Sequence, residues 1–178
     1  MDSFRKVVLF IATSLDGFIA RENGSLDWLF AIEGEGDNGF TQFYQTIDTI
    51  VMGRGTYDYL MAIVEEYPHA DQKTYIFSRQ ENRQDLGPQV EYVSEDIAGF
   101  VQKLKNQDGS NIWLVGGAEL FKQYIKEKLV DEFIISLSPI ILGKGIPLFN
   151  QNNPEIKLEL MEQKRYGQFV QLHYLVHR

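Results

Sequence analysis

The sequence predicts an α/β fold in which a mixed central sheet is flanked by helices and carries antiparallel strands at its C-terminal edge. Two observations predict it. Apolar, β-branched runs alternate with helical patterns through residue 127, and strand-like runs dominate the rest of the chain. Such alternation is typical of a sheet covered by helices, and consecutive strands at the end of a chain tend to pair antiparallel.

Strands are predicted where short apolar runs are bounded by turn residues. The first is the continuous β-branched run KVVLFIA, which is typical of a strand buried on both faces. The complete set of predicted strands is 6–12, 49–53, 73–78, 90–94, 111–117, 132–142, 157–166 and 168–177.

Helices are predicted where apolar residues recur every three or four positions. Ser94 is a suitable N-cap for one of them, because Glu95 and Asp96 would then occupy the first turn, where the helix dipole favours acids. The predicted helices cover 40–47, 56–67, 95–107 and 118–128.

Composition limits the class of protein. With 178 residues, 44% of them hydrophobic, the chain can bury one substantial core, so we expect a single domain over 1–178. The net charge of −8 argues against nucleic acid and anionic membranes as partners. There is no Cys, and the three His are not spaced as metal ligands. The N-terminal apolar run is too short and too polar for a signal peptide or a transmembrane helix. We therefore expect a cytoplasmic protein with no metal site.

The stretch GEGDNG at 34–39 has the G-x-G-x-x-G spacing of a dinucleotide-binding turn. No strand precedes it, however, and Glu35 and Asp37 stand where phosphate oxygens would arrive. A flexible surface loop is the better interpretation.

Two other glycine turns follow a strand and open a helix. They are IVMGRGTYDYL and IWLVGGAELF. In both, glycine lets backbone amides approach an anion at the positive end of a helix, and Arg54 adds a planar donor fork that suits phosphate. Either one could be an ordinary strand-to-helix turn, but two in one small domain favour a phosphate-bearing ligand.

Three blocks of sequence carry a resemblance to a known family. VVLFIATSLDGFIARENGSLDWL, TIVMGRGTYDYL and the segment from IWLVGGAELF to GKGIPLF resemble the signature blocks of the dihydrofolate-reductase-like superfamily. The sequence is especially similar to the branch related to the reductase domain of bacterial riboflavin biosynthesis. The resemblance implies a mixed sheet with NADPH lying across the carboxyl ends of its strands.

The same resemblance implies the cofactor-binding residues. The first glycine turn would bind phosphate, the end of the next strand would bind the adenosine 2′-phosphate, and the second turn would lie against the pyrophosphate and nicotinamide. The residues concerned are Ala12, Arg54, Gly55, Thr56, Ser78, Arg79, Val115, Gly116, Gly117, Ala118, Glu119 and Leu120.

Acidic and aromatic residues are implied on the substrate side. Asp16, Asp27 and Trp28 match the loop that covers nicotinamide and substrate in the family, and Asp37 falls near the acid that grips the pterin in true dihydrofolate reductases. We name Asp16 and Asp37 as candidate proton donors and Asp27 and Trp28 as candidate substrate contacts. The alternatives are that Asp16 caps a turn, Trp28 fills the core and Asp37 is a solvated loop charge.

The resulting hypothesis is an NADPH-dependent reductase of a small heterocycle, either pterin-like or like a pyrimidinone precursor of riboflavin. The apolar segment 132–149 suits a subunit interface, so we expect a homodimer. The alternative is a binding module that keeps the nucleotide site but is catalytically weak and serves as a sensor or interaction protein.

Overall fold

The computed structural model describes residues 4–79 and 87–177. Its strands are β1 (Val7–Ser14), β2 (Phe18–Ala20), β3 (Ile47–Gly53), β4 (Lys73–Phe77), β5 (Val90–Val93), β6 (Asn111–Gly116), β7 (Glu132–Ser138), β8 (Ile146–Pro147), β9 (Leu158–Tyr166) and β10 (Phe169–Val176). Its helices are α1 (Asp27–Phe30), α2 (Phe40–Tyr44), α3 (Arg54–Ile63), α4 (Ile97–Lys105) and α5 (Ala118–Lys126).

Eight strands form one mixed sheet in the order β5-β4-β3-β6-β1-β7-β10-β9. The first six strands in this order are parallel to their neighbours, whereas β10 pairs antiparallel with β7 and with β9. Strands β2 and β8 form a separate two-stranded sheet. The predicted fold class is therefore confirmed, including the antiparallel strands at the C-terminal edge.

Apolar side chains pack on both faces of the sheet. On one face α4 and α5 supply Phe100, Leu104, Phe121 and Tyr124 to the larger core cluster. On the other face a second cluster is built around Phe43, Tyr57 and Trp113. A sheet buried on both faces explains why the parallel strands have continuous apolar sequences rather than alternating ones.

Several helix boundaries differ from the predicted ones. The first predicted helix is only the five residues of α2, because Ile47 already belongs to β3 and is 4% exposed. Helix α3 ends at Ile63, since Val64 is extended, four residues before the predicted end at 67. The predicted N-cap Ser94 is wrong: Asp96 precedes α4, and its carboxylate accepts the Gly99 amide at 2.8 Å.

Arg5 connects the amino ends of two strands with the loop before a third. It is 5% exposed and forms an ion pair with Asp48, and it also donates to the Thr49 hydroxyl at 2.6 Å. Its remaining bonds reach the carbonyls of Ser110 at 2.7 Å and Leu104 at 3.2 Å. This network lies at the sheet end opposite the glycine turns, so its role is structural.

Replacing Arg5 with methionine should lower the free energy of unfolding by about 3 kcal/mol, because it leaves the partners of a buried charge unsatisfied. Urea denaturation measures this. Lys73→Met is the control, because Lys73 forms a surface ion pair with Glu91 that should contribute less than about 1 kcal/mol. Equal losses in the two variants would contradict a structural role for the Arg5 network.

The segment 132–149 is less available as an interface than its sequence suggests. Its first half is β7, which pairs with strands on both sides, and Phe133 and Ile135 are at most 9% exposed. Ile141 and Phe149 are exposed. In the described part of the chain, no helix is long and apolar enough to cross a bilayer.

Candidate cofactor cleft

A cleft of about 890 Å³ opens over the carboxyl ends of β3, β4, β5 and β6. We call it the strand-end cleft. Parallel strands direct their carboxyl ends to one edge of the sheet, and this is where open α/β sheets bind their ligands. Its walls consist of Gly53, Arg54, Gly55, Thr56, Phe77, Ser78, Arg79, Val93, Ser94, Glu95, Asp96, Ile97, Ala98, Gly117, Ala118, Glu119, Leu120, Gln123, Lys126 and Glu127.

Two helices begin at the walls of this cleft with their first amides uncapped. Helix α3 follows Gly53 and α5 follows Gly117, and neither N-cap residue has a side chain that can accept from these amides. The first N–H groups of a helix lack intrahelical partners and stand at the positive end of its dipole. By contrast, Asp96 fills this position at α4 with its own carboxylate. The cleft therefore offers two N-termini to an anion.

The two glycine turns pack directly against each other. A Cβ added to Gly117 would lie 3.0 Å from Thr56 Oγ1, and one added to Gly53 would lie 3.4 Å from the Gly117 nitrogen. Gly116 has φ +128°, and its added Cβ would lie 2.8 Å from the ring of Phe121. The absence of side chains here allows both helix N-termini to reach the same space.

The cations of the cleft differ in how they are engaged. Arg54 binds Asp58 through Nε at 2.7 and 2.8 Å and lies 5.4 Å from the centre of the Tyr92 ring. The hydrogen bond to Asp58 raises the pKa of Arg54, so its charge is permanent. Arg79 and Lys126 are exposed beside it. Glu95 is neutralised by Lys103. The lining also includes Asp96, Glu119 and Glu127, so an anion would be held by individual cations and helix amides and not by a net positive charge of the cleft.

One wall of the cleft is apolar and lies at the ends of β4 and β5. Phe77 and Val93 form its strand side, and Ile97 and Ala98 from the start of α4 complete it. Phe77 also contacts Phe100 edge-on, with ring centres 5.2 Å apart. This wall has the chemistry to receive a flat, uncharged ring.

Nine of the twelve predicted cofactor residues line the strand-end cleft. The other three, Ala12, Val115 and Gly116, lie on β1 and β6 toward the centre of the sheet. Among the residues that sequence reasoning missed are Gln123, Lys126 and Glu127 at α5, and also the apolar wall of Phe77, Val93, Ile97 and Ala98. Helical spacing from Glu119 would have found the first two, because positions four and seven residues later lie on the same face.

Asp16 connects two loops through hydrogen bonds. Its carboxylate accepts from the amides of Leu142 at 3.1 Å and Gly143 at 2.8 Å, and from the Ser14 hydroxyl at 2.7 Å. The hydrogen bond from Ser14 is the largest cause that lowers the pKa of Asp16; desolvation opposes it, and the hydrogen bonds from the Leu142 and Gly143 amides lower the pKa further. An acid that is harder to protonate is a poor proton donor at neutral pH, so this geometry favours positioning over proton transfer.

Asp27 and Trp28 are also engaged within the protein. Asp27 receives two hydrogen bonds from Arg21, at 2.7 and 3.0 Å, and a third from Ser25 at 2.7 Å, and these hold its pKa well below the ordinary value. Trp28 is 3% exposed. Its burial favours the alternative that this indole fills the core rather than stacking on a ligand.

Asp37 holds the start of α2. One carboxylate oxygen accepts the Gly39 amide at 3.0 Å and the other accepts the Thr41 amide at 2.7 Å. The hydrogen bonds from Thr41 lower the pKa of Asp37. The Asp37 carboxylate therefore accepts hydrogen bonds from amides at the start of α2, as a capping side chain does.

The GEGDNG loop lies on the turn between β9 and β10 rather than on the strand-end cleft. The Gln168 amide donates to the Glu33 carbonyl at 3.1 Å, and Gln171 Nε2 donates to the Asn38 carbonyl at 3.3 Å. Gly39 has φ +80°, and a Cβ there would lie 2.5 Å from the hydroxyl oxygen of Tyr166. These contacts replace the predicted flexible loop with a docked one.

Asp37→Asn should leave hydride-transfer activity within about twofold, because the amide oxygen of asparagine can still accept one of the two N–H groups at the start of α2 and no proton transfer is assigned to this side chain. Asp37→Ala should instead lower the free energy of unfolding by about 1 kcal/mol. NADPH oxidation and urea denaturation measure the two effects. If Asp37→Asn abolished turnover in a protein of unchanged stability, the carboxylate would be a proton donor after all.

Comparison with known proteins identifies the family. The family model of the RibD C-terminal domain matches residues 5–172. The chain belongs to the RibD C-terminal domain family. Within this family, the uncharacterized protein YwjB of Bacillus subtilis is 48% identical over 172 residues, covering 96% of this chain and 98% of YwjB.

Solved structures agree with this assignment. A putative riboflavin biosynthesis protein from Shewanella sp. PV-4 superimposes with a TM-score of 0.87 at 28% identity, over 97% of this chain and 99% of the other. Dihydrofolate reductase from Enterococcus faecalis, complexed with NADP(H), superimposes with a TM-score of 0.65 at 16% identity, over 97% of each chain. The second likeness shows a shared fold. The predicted resemblance to dihydrofolate reductases and to the riboflavin-pathway reductase domain is confirmed.

Proposed function

We propose that this protein is an NADPH-dependent reductase that transfers a hydride to a small heterocycle. The observation that carries the proposal is the pair of uncapped helix N-termini, α3 and α5, brought together at Gly53 and Gly117 over the strand ends. A dinucleotide pyrophosphate is the ligand chemistry that best fits two converging helix ends.

The remaining walls fit the other parts of the cofactor. The apolar wall of Phe77, Val93 and Ile97 would receive the adenine ring. Arg79, at the end of β4 beside Ser78, would bind the 2′-phosphate through charge-assisted hydrogen bonds. The nicotinamide would extend from the second glycine turn toward Ala12 and Val115, which lie on adjacent strands of the sheet.

The substrate would lie beyond the nicotinamide, at the carboxyl end of β1. This is the part of the sheet where the loop held by Asp16 meets the segment around Gly143. A hydride from nicotinamide C4 would add to the carbon of a C=N or C=O bond, and the heteroatom would take a proton. Since Asp16 and Asp37 are engaged with backbone amides, we assign that proton to water. Pterins and pyrimidinone precursors of riboflavin carry suitable bonds.

A binding titration followed by a turnover screen tests this function. NADPH fluorescence should report micromolar or tighter binding, and NADPH absorbance should fall when a deaminated riboflavin precursor or a dihydropterin is added. Tight binding without turnover on any such heterocycle would favour the alternative, a sensor or interaction module. If NADPH did not bind at all, both the reductase function and the nucleotide-binding module would be rejected.

A further inference from the structure

The substrate side of the proposed site, formed by segments 15–39 and 139–149, carries excess negative charge. Segment 15–39 has six acidic residues and one basic residue, Arg21, which gives it a net charge of −5. Segment 139–149 adds one base, Lys144, and no acid. Because the substrate would lie where these segments meet, its own charge would affect its binding.

Both bases of the substrate side are already paired with acids. Arg21 forms an ion pair with Asp27 at 2.7 Å, and Lys144 forms one with Glu22 at 3.0 Å. The other acids of segment 15–39 form no ion pair with any residue in the described part of the chain, and they are Asp16, Glu33, Glu35 and Asp37.

Two further bases lie on β9, near the turn on which the GEGDNG loop docks. Lys164 forms an ion pair with Glu162 at 3.0 Å, and Arg165 donates through Nε to the Gly167 carbonyl at 2.8 Å. Arg165 also opposes Val170, which opposes Leu137 of the larger core cluster, so it lies on the face that carries α4 and α5. Each base therefore has a partner within β9 and its turn.

The residues before α2 reach the level of Ala12, the residue of β1 assigned to the nicotinamide. Ala12 pairs with Ser136 of β7, which in turn pairs with Gln171 of β10. Gln171 Nε2 donates to the carbonyl of Asn38, two residues before α2, at 3.3 Å. The start of α2 therefore belongs to the substrate side.

This start of α2 is closed to anions. The carboxylate of Asp37 accepts the Gly39 amide at 3.0 Å and the Thr41 amide at 2.7 Å. Such amides are the groups that an anion would use at the start of a helix. Helix α2 thus differs from α3 and α5, whose first amides have no capping side chain at the strand-end cleft.

The polar side chains of the sheet at this level are neutral. Ser136 and Ser138 alternate with Leu137 on β7, so their side chains share one face. Gln171 donates to the Ser136 hydroxyl at 3.1 Å. The Ser138 hydroxyl is buried and has no hydrogen-bond partner among the described residues. Neutral donors and acceptors of this kind match the amide edge of an uncharged ring.

We propose that the substrate is an uncharged heterocycle without a phosphate group, held by neutral hydrogen bonds at the carboxyl ends of β1 and β7. This inference rests on the proposed reductase function and specifies the substrate class of the same site. A phosphate dianion would lie in the field of the carboxylates that no cation neutralises, beside a helix start that Asp37 already fills. The phosphates that the protein binds are then those of the cofactor.

Turnover of matched pairs of compounds tests the proposal. A pyrimidinone with a sugar substituent and a dihydropterin with a hydroxymethyl group are each compared with their own phosphate ester at saturating NADPH. In each pair that is reduced, kcat/KM for the compound without phosphate should be at least about tenfold higher. Salt screens repulsion, so this ratio should decrease as the ionic strength rises from about 0.01 M to about 0.15 M.

Leu15→Lys supplies a cation at the junction of the two segments. Leu15 is 60% exposed beside Asp16, and its amide donates to the Ile140 carbonyl at 2.8 Å. The variant should raise kcat/KM for the ester about fivefold and leave that for the compound without phosphate within about twofold. Ile63→Lys is the matched control, because Ile63 is 59% exposed at the far end of α3 from the cleft, and it should change neither value.

An ester that reacts as fast as its partner compound, or faster, overturns the proposal. So does an ester whose kcat/KM falls with rising salt, because that dependence indicates a cationic phosphate site. The proposal is also overturned if Leu15→Lys acts no differently from Ile63→Lys. If NADPH binds but none of the four compounds is reduced, the reductase function is rejected. Dissociation constants for the NADP⁺-saturated protein then decide the substrate class: weaker binding of the esters supports it, whereas equal or tighter binding, or no binding of any compound, overturns it.

Discussion

Gly116→Ala should lower NADPH affinity at least about tenfold and destabilise the protein by about 3 kcal/mol. Gly116 has φ +128°, a region that residues with a Cβ rarely adopt, and the new Cβ would lie 2.8 Å from the ring of Phe121. Phe121 is 1% exposed in the core under α5, so it cannot move without cost. The strain would displace the start of α5, whose amides form half of the proposed pyrophosphate site. Fluorescence titration and urea denaturation measure the two effects.

Gly55→Ala is the matched control for that experiment. Gly55 lines the same cleft and lies in the first turn of α3, but no atom lies within 4 Å of its added Cβ and its φ is not positive. The free energy of unfolding of the Gly55→Ala variant should therefore equal that of the wild type or be slightly higher, because alanine has a higher helix propensity than glycine. If Gly116→Ala were as stable as Gly55→Ala and bound NADPH normally, the second glycine turn would not position the cofactor.

Arg79→Ala should weaken NADPH binding by about 10- to 100-fold while NADH binding changes less than about twofold. The loss is that of a charge-assisted contact to the 2′-phosphate, which contributes about 1.5–3 kcal/mol. Arg54→Ala should also reduce NADPH affinity, but less selectively, because Arg54 is engaged with Asp58 and its site faces the pyrophosphate shared by both cofactors. Isothermal titration with both nucleotides distinguishes the two residues.

Lys122→Ala is the control for the lost charge. Lys122 is exposed on α5 but does not line the strand-end cleft, so its removal should leave both affinities unchanged. A wild-type protein with equal affinity for NADPH and NADH would remove the 2′-phosphate assignment. If Arg79→Ala weakened NADPH and NADH binding equally, Arg79 would be assigned to the pyrophosphate instead of the 2′-phosphate.

The agreement between predicted and observed features follows local sequence signals. Strand β1 was predicted because a continuous β-branched run is typical of a strand covered on both faces, and the structure buries Val7, Val8 and Leu9 completely or nearly so. The glycine turns were predicted because each joins a strand directly to a helix. Both features depend on a few consecutive residues, which is why periodicity and turn chemistry suffice to find them.

The disagreements arise where partners are distant in sequence. Ser94 and Asp96 are both good caps, and the choice between them depends on where α4 must begin to pack Phe100 and Leu104 on the sheet. Asp16 was a plausible acid from its place in the sequence, but the amides that engage it belong to residues 126 and 127 positions away. A carboxylate's proton affinity is set by such neighbours and not by its own segment.

The amino-acid sequence alone was thus sufficient to predict the fold class, the family resemblance and the two glycine turns, because each depends on consecutive residues with a fixed spacing. Folding was needed to show that the turns meet at one cleft, that GEGDNG docks on the β9–β10 turn, and that 132–138 is interior. Folding also left Leu158, Leu160 and Met161 exposed on β9. These properties depend on which distant elements become neighbours, and long-range contacts of that kind have no local signal in the chain.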